Sequence, residues 1–288
     1  MPLNYLNADL HCHSTFSDGT LTPIQLAERA KGKGTDLWAL TDHDEIAGLA
    51  QAQAAAHSQG LQFLTGVEIS VSFASTTVHI VGVGFDAHHP VLQQGLHGLR
   101  NQRGPRAKAM AAQLEAVGIA NAYEGALRYV GNPDLISRTH FARFLVESGV
   151  CKDTYEVFRH YLVEGKPGYV PQRWASLKEA VQWIRESQGV AVIAHPARYN
   201  LSPNEEHALF SSFKDYGGQA VEVVTGSHAP HEYAVYAAVA KSFGLAASRG
   251  SDFHSPQESR VDFGALPADP SGLKPVWDLL TDRILYAP

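Results

Sequence analysis

The chain has 288 residues, 44% of them hydrophobic and 18% charged, and a formal net charge of −6. These values are typical of a globular protein large enough for one α/β domain, or for a domain that carries an insertion. No apolar run reaches transmembrane length, the first ten residues do not resemble a signal peptide, and two cysteines cannot form a disulfide framework. We therefore expect a cytoplasmic protein with no membrane partner.

Strand-like and helix-like segments alternate along most of the chain. Strands are predicted near 8–11, 37–41, 62–70, 77–84, 189–194, 219–224, 245–248 and 283–287. Helices are predicted near 23–33, 45–59, 176–187, 204–215, 229–243 and 273–281. Strands separated by helices of this length are typical of βαβ units, so we expect an α/β fold with a parallel sheet that closes into a distorted barrel.

The segment 98–172 departs from this alternation and predicts a helical insertion between two barrel segments, 1–97 and 173–288. Four helix-like pieces end in glycine, at 106–118, 122–131, 137–149 and 152–165. Residues 100–173 carry 11 Lys and Arg against 7 Asp and Glu, whereas the rest of the chain carries 12 against 22. A basic insertion over an acidic remainder indicates an anionic ligand held above a carboxylate-rich site.

Histidines and carboxylates gather where the predicted strands end. The segment ADLHCHSTFSDGT (8–20) places His11 and His13 two residues apart, so in an extended strand both imidazoles leave the same face. A lone carboxylate such as Glu68 would be costly inside an apolar strand. The candidate ligands are His11, His13, Asp18, His43, Glu68, His79, His195, Asp252 and His254. Because the C-terminal strand ends of a barrel converge, we predict that these nine side chains form a metal centre.

Nine ligands exceed the needs of one ion, and two ions would leave few positions for water and substrate. Three divalent ions that share a carboxylate fit the set better. With three carboxylates in the set, the site would carry a charge of about +3, which favours an anion such as phosphate. Mixed imidazole and carboxylate ligands suit Mn²⁺, Fe²⁺ or Zn²⁺, and Mn²⁺ is the first choice.

The amidohydrolase barrel also opens with HxH and ends with an aspartate, but its binuclear form generally bridges the ions with a carbamylated lysine on a middle strand. No lysine stands between Lys33 and Lys108, which leaves Glu68 as the natural bridge. Asp44, next to His43 in WALTDHDE, is expected to cap the N-terminus of the following helix.

The ordered motifs HxH, D, TDHD, GVE, H, HP and SDxH resemble those of the PHP family (polymerase and histidinol phosphatase domains). Over 1–97 and 173–288 this resemblance implies a distorted seven-stranded (β/α) barrel, three metal ions and phosphoester hydrolysis assisted by the ions. Carried over by motif, one ion takes His11, His13 and Asp252 and shares Glu68 with a second ion on His79 and His195, while the third takes Asp18, His43 and His254. The implied catalytic residues are Asp18, His43, Glu68 and His254.

The insertion motifs LISRTHFARFLVESG and EGKPGYVPQRWAS resemble the branch that contains 3′,5′-nucleotide bisphosphate phosphatases and short-RNA 5′ exonucleases. This resemblance implies removal of the 3′-phosphate from a substrate such as 3′-phosphoadenosine 5′-phosphate, with the insertion holding the 5′-phosphate. Arg138, Arg143 and Lys166 are the candidates for that contact. Arg138 and Arg143 lie on different helical stripes, so we do not expect both to serve. Tyr169 and Trp174 are expected to pack in the seam between insertion and barrel, or else to stack on a base.

Two other functions stay open at this point. A 5′→3′ exoribonuclease acting on short RNA would use the same chemistry but needs an open groove. A metal-binding regulatory module without activity belongs to a different class, and the complete ligand set argues against it. The sequence implies no stable protein partner.

Overall fold

Seven strands form a nearly closed barrel at the centre of the structure, as predicted. The computed structural model describes residues 7–286. The strands are β1 Ala8–Asp9, β2 Leu37–Leu40, β3 Gln62–Phe73, β4 Thr76–Val83, β5 Ala175–Ser176, β6 Val190–Ile193, β7 Ala220–Thr225 and β8 Ala246–Gly250. They pair in the order β1-β2-β3-β4-β6-β7-β8, and the short β5 pairs with β3. The barrel closes where the backbone N–H of Leu10 donates to the Arg249 carbonyl at 3.0 Å.

The strand β4 runs antiparallel to both of its neighbours, β3 and β6, so the sheet departs from the predicted parallel arrangement at this strand. Only Ala74 and Ser75 connect β3 to β4, and both have positive φ angles, 46° and 64°. A parallel neighbour needs a crossover of about a dozen residues or more, so a two-residue connection permits only a hairpin. The other pairs along the barrel are parallel.

Helices follow most of the strands. They are α1 Pro23–Gly32, α2 Leu49–Ser58, α3 Pro90–Ala116, α4 Ala122–Leu127, α5 Arg138–Glu147, α6 Thr154–Val157, α7 Leu177–Glu186, α8 Pro203–Asp215 and α9 Glu232–Phe243. Capping boxes begin α1, α7 and α8, where a Thr or Ser side chain and the Gln or Glu three residues later satisfy each other's backbone N–H groups. None of the helices in the described range is long and apolar enough to cross a membrane.

The C-terminal segment departs from the predicted elements. The helix expected at 273–281 is reduced to a 3₁₀ turn, Val276–Leu279. The strand expected at 283–287 is represented by one bridge, between Phe63 and Leu285, and residue 287 lies outside the described residues.

The segment between β4 and β5 contains the four predicted helices and forms a cap with its own apolar core. Met110, Leu114, Phe141, Leu145 and Leu162 are among the buried residues of this core. The predicted boundary between 97 and 98 falls inside α3, which continues from the barrel side into the cap without a break. After α6 the chain continues directly into a single π-helical turn, Phe158–Leu162. The cap is therefore connected to the barrel by a continuous helix.

Candidate metal centre

The structure brings all nine predicted ligand side chains together at one end of the barrel. His11 and His13 follow β1, His43 follows β2, His195 follows β6, Asp252 and His254 follow β8, and Glu68 and His79 lie within β3 and β4. The nine residues form four overlapping groups, and in each group the ligand atoms lie within 4.8 Å of one another. Antiparallel β4 takes part because its beginning lies beside the C-terminal half of β3.

Glu68 lies at the centre of the cluster and is fully buried. Its Oε1 atom is 2.9 Å from His79 Nδ1 and 2.9 Å from His195 Nε2. Its Oε2 atom is 2.9 Å from His43 Nδ1 and 3.3 Å from His13 Nε2. One carboxylate therefore faces histidines of four different segments, which is the geometry that a ligand shared between two ions needs.

Asp252 and Asp18 face the remaining histidines. The Oδ1 atom of Asp252 is 3.4 Å from His13 Nε2, 3.6 Å from His11 Nε2 and 3.6 Å from His254 Nδ1. The Oδ1 atom of Asp18 is 3.4 Å from His254 Nε2. Each carboxylate thus has an oxygen directed at imidazole nitrogens rather than at backbone N–H groups.

The charges of the cluster shift the pKa values of its members. Burial alone would raise the pKa of Asp18, Glu68 and Asp252, but the surrounding histidines hold the pKa of each well below its ordinary value. Burial lowers the pKa of His79 to about 4, although Glu68 opposes the shift. Burial opposes the shift, but carboxylates of the cluster raise the pKa of His11 and His254, so these two rings would lose a proton when a metal ion binds. The ionised carboxylates and a neutral His79 are already in the form that binds metal ions.

The donor set fits divalent metal ions because several lone pairs lack other partners. Within residues 7–286, Asp18 Oδ1, Glu68 Oε2, His43 Nδ1 and His79 Nδ1 are buried without a hydrogen bond. The two histidine nitrogens lie 2.9 Å from Glu68 oxygens, yet not in hydrogen-bond geometry. Buried polar atoms are normally hydrogen-bonded, so a cluster of unpaired acceptors calls for cations.

Glu222, on β7, supports the cluster and was missed in the sequence. Its Oε1 atom is 2.7 Å from His11 Nδ1, and its Oε2 atom accepts the backbone N–H of His195 at 2.7 Å. A carboxylate on the far nitrogen of a ligating histidine fixes the orientation and tautomer of the ring. Glu222 stands inside the apolar strand GQAVEVV, so the criterion that identified Glu68 would also have identified it.

We expect Glu222→Gln to weaken metal binding by about 10- to 100-fold while the protein stays folded, because an amide holds the His11 ring less firmly than a carboxylate does. Isothermal titration of the metal-stripped protein with Mn²⁺ measures the affinity, and circular dichroism checks the fold. Unchanged Mn²⁺ affinity in the folded variant would contradict this role of Glu222.

Asp44 does not cap a helix, contrary to the prediction. The helix α2 begins five residues later, at Leu49, with Gly48 in the N-cap position. Asp44 has a φ angle of 52°, and its carboxylate accepts the Ser70 backbone N–H at 2.8 Å and also binds Arg103 of α3. On the other side of His43, Asp42 accepts the Ser14 N–H at 2.7 Å. The two aspartates therefore anchor the backbone on both sides of His43.

Two neighbouring cavities open at the cluster. The first, which we call the metal cavity, has a volume of about 140 Å³ and is lined by seven of the nine candidate ligands and by Arg103, Arg106, Arg138 and Arg198. The second, which we call the side cavity, has a volume of about 370 Å³ and lies beside the loops that follow β7 and β8. Thr139, Phe158, Arg198, Asp252 and His254 line both cavities, so the two spaces adjoin.

The three predicted phosphate-binding residues are placed differently. Arg138 lines the metal cavity. Arg143 is 8% exposed and forms a two-pronged ion pair with Glu258, at 2.9 and 2.6 Å. Lys166 is exposed in a turn and lines neither cavity. Of the three, the structure brings only Arg138 to the cluster.

The aromatic candidates of the insertion lie outside both cavities. Trp174 is buried in the seam between cap and barrel, as expected, with the guanidinium groups of Arg103 and Arg106 over its ring at 4.8 and 5.6 Å. Tyr169 lines a separate surface depression beside the β3–β4 hairpin.

Two further arginines that line the metal cavity, Arg106 and Arg198, were not predicted from the sequence. Arg198 stands three residues after His195, at the end of a strand.

Comparisons with known proteins agree with the fold and identify the family. A model of the PHP domain matches residues 9–189. A 3′,5′-nucleoside bisphosphate phosphatase of Chromobacterium violaceum is 50% identical over 97% of this chain and 98% of the relative. A 5′-3′ exoribonuclease of Haemophilus influenzae is 40% identical over 86% of this chain and 90% of the relative.

Solved structures of two similar proteins have the same fold. An amidohydrolase from Chromobacterium violaceum, with bound sulfate and no metal, is 50% identical and superposes with a TM-score of 0.95 over 98% of both chains. A Bifidobacterium adolescentis protein assigned as a metal-dependent phosphoesterase is 27% identical and superposes with a TM-score of 0.80, again over 98% of both chains. The chain therefore belongs to the PHP family, and with this site it is a metal-dependent phosphoesterase, as its motifs predicted.

Proposed function

We propose that the protein removes the 3′-phosphate from nucleoside 3′,5′-bisphosphates, such as 3′-phosphoadenosine 5′-phosphate, to give the nucleoside 5′-monophosphate and inorganic phosphate. The observation that carries this proposal is the lining of the metal cavity, which combines the ligand cluster with the guanidinium groups of Arg106 and Arg138. An enzyme that recognised a single phosphate would need only the cluster. Two separate cationic groups match a small substrate with two phosphates.

Arg106 and Arg138 are available for an anion because neither forms an ion pair with a carboxylate in the described part of the chain. Arg106 donates to the Val170 carbonyl at 2.9 Å, and Arg138 donates to the Leu162 carbonyl at 3.4 Å. Burial, followed by repulsion from Arg138 and Arg103, lowers the pKa of Arg106 to about 9. Both guanidinium groups stay charged at neutral pH, and a bound phosphate would compensate these half-buried charges.

The cluster would hold up to three divalent ions, grouped as the family motifs imply, with Mn²⁺ as the first choice and Fe²⁺ or Zn²⁺ as alternatives. Bound ions would supply Lewis acidity and lower the pKa of a coordinated water, which is what hydrolysis of a phosphomonoester needs near neutral pH. Asp18, His43, Glu68 and His254 line the metal cavity and are the residues proposed to take part in catalysis.

Residues outside the ligand set position the phosphate and the cap. Arg198 lies 3.0 Å from Asp252 and lines both cavities, so it is placed to donate to an oxygen of the phosphate that is cleaved. The Thr139 hydroxyl, at the start of α5, donates to Asp18 Oδ2 at 2.9 Å. This hydrogen bond ties the helix that carries Arg138 directly to the cluster.

The relatives support the proposal and favour one alternative. The 50% identical relative is named for nucleoside bisphosphates, whereas the 40% identical relative is named for exonucleolytic cleavage of RNA. A 5′→3′ exoribonuclease acting on short RNA is therefore the second candidate. The relative named for nucleoside bisphosphates is the more similar of the two to this chain, which puts the bisphosphate first.

We expect Mn²⁺-loaded protein to release phosphate from 3′-phosphoadenosine 5′-phosphate much faster than from adenosine 3′-monophosphate, adenosine 5′-monophosphate or histidinol phosphate. None of these three presents both phosphates of the bisphosphate. A phosphate-release assay with matched concentrations measures the rates, and a 5′-phosphorylated short RNA tests the alternative. Equal cleavage of the 3′-monophosphate would show that the cap does not recognise a second phosphate.

A further inference from the structure

A nucleoside 3′,5′-bisphosphate also carries a base, and the metal cavity leaves no obvious place for it. The metal cavity is small and lined almost entirely by charged and polar side chains. The side cavity, at about 370 Å³, falls within the usual range of small-molecule sites, about 300–1,000 Å³. Because the two cavities share part of their lining, a nucleotide with its phosphates in the first can extend into the second.

Phe158 stands at the junction of the two cavities. In the described residues it is the one Phe, Tyr or Trp side chain that lines either of them. Val157, the last residue of α6, and Leu162, in the same π-helical turn, are fully buried in the core of the cap. Phe158 begins the single π-helical turn that follows α6, and π-helical turns are frequent at functional sites.

The surroundings of the ring suit a nucleobase. The Arg138 guanidinium lies over the Phe158 ring at 5.7 Å, so the proposed phosphate contact and the aromatic ring are directly adjacent. The hydroxyl groups of Thr154, Ser227 and Ser259 also line the side cavity, together with Arg260 and with Glu258, which is paired with Arg143. Hydroxyl groups both donate and accept hydrogen bonds, so they do not discriminate strongly between bases. Stacking on an aromatic ring is likewise tolerant of base identity.

We propose that Phe158 is the platform on which the base of the substrate stacks, with the base in the side cavity. This inference rests on the proposed function and adds a specificity-determining residue to it. It also implies that purine and pyrimidine nucleoside bisphosphates are both substrates, because stacking on an aromatic ring tolerates either kind of base.

The test combines a change in the protein with a change in the substrate. The wild type, Phe158→Ala, Phe158→Leu and Phe158→Trp are assayed with adenosine 3′,5′-bisphosphate and with the abasic analogue, 1-deoxyribose 3,5-bisphosphate. Tyr155→Ala is the matched control, because Tyr155 lies on the same segment of the cap, is 71% exposed and lines neither cavity. Thermal unfolding checks that each variant is folded.

We expect Phe158→Ala to lower kcat/KM for the nucleotide by about 5- to 150-fold and to leave kcat/KM for the abasic analogue within about twofold, since stacking accounts for that range of affinity. Phe158→Leu should show most of the loss, and Phe158→Trp should restore the activity. Equal losses on both substrates, or no loss on the nucleotide, would refute the platform alone. A wild type that leaves the bisphosphate intact would instead refute the proposed function, and the platform with it.

Discussion

Replacing His43 or Asp252 with alanine is expected to abolish phosphate release while the protein stays folded. His43 Nδ1 lies 2.9 Å from Glu68 Oε2, and Asp252 faces three histidines of the cluster. Each variant removes a ligand from the proposed metal centre, and the remaining ligands cannot complete it. Elemental analysis of protein prepared without chelators should find two to three metal equivalents in the wild type and fewer in each variant.

Controls separate loss of metal from loss of fold. His97→Ala removes an exposed histidine of α3 that lies outside all four ligand groups, and it should keep both the metal and the activity. Removal of the metal from the wild type with a chelator should abolish hydrolysis, and addition of Mn²⁺ should restore it. Full activity in a protein shown by elemental analysis to hold no metal would refute the proposed metal mechanism.

The clustering of the nine candidate ligands could be predicted because each of their motifs is local. His11 and His13 were expected on one face by strand geometry, and Asp252 and His254 repeat the same spacing. In the structure all four residues follow their strands and Asp252 has a φ angle of 53°, so the pairs meet without regular strand geometry. Barrel geometry then brings the ends of distant strands to one place without any knowledge of side-chain contacts. The structure confirms that all nine residues meet, while the grouping of ions around them stays a proposal.

The antiparallel direction of β4 could have been predicted from the sequence, but we did not predict it. The predicted strands at 62–70 and 77–84 leave too few residues between them for a crossover, and a parallel pair was therefore excluded by length. We expected strands to alternate with helices along the chain, and this expectation was given more weight than the short connection between the two strands. The prediction that Asp44 caps a helix was wrong because the sequence does not show where the next helix begins. In the structure a turn follows His43, and α2 begins only at Leu49.

Whether an arginine faces the metal cavity or pairs with a carboxylate could not be predicted, because this depends on partners that are far apart in the chain. Arg143 and Arg138 both belong to α5, yet Glu258, from the loop after β8, neutralises Arg143 alone. Arg106 lies on α3 and reaches the metal cavity only because α3 crosses from barrel to cap. Composition indicated a basic insertion, and only the folded chain shows which of its charges lack a carboxylate partner.

Arg138→Ala is expected to raise KM for 3′-phosphoadenosine 5′-phosphate by about 10- to 100-fold, since a charge-assisted contact contributes about 1.5–3 kcal/mol. Its effect on a simple aryl phosphate should be small, because that substrate has no second phosphate to lose. Arg106→Ala should act in the same direction, and the double variant should lose more than either single one. Arg138→Lys keeps the charge without the planar fork and should fall between wild type and alanine.

The matched control for these variants is Arg159→Ala, an exposed arginine of the π-helical turn that lines neither cavity. If the proposal is correct, Arg159→Ala leaves KM unchanged, so the effect of Arg138 cannot be attributed to the net charge of the cap.

A second experiment removes the 5′-phosphate from the substrate, so that protein and substrate each lose one partner of the proposed contact. With adenosine 3′-monophosphate the wild type and Arg138→Ala should be nearly equal, because the group that Arg138 binds is absent. An equal loss on the bisphosphate, the monophosphate and the aryl phosphate would mean that Arg138 supports the cap through its contacts with Phe158 and Leu162, and that another group binds the second phosphate.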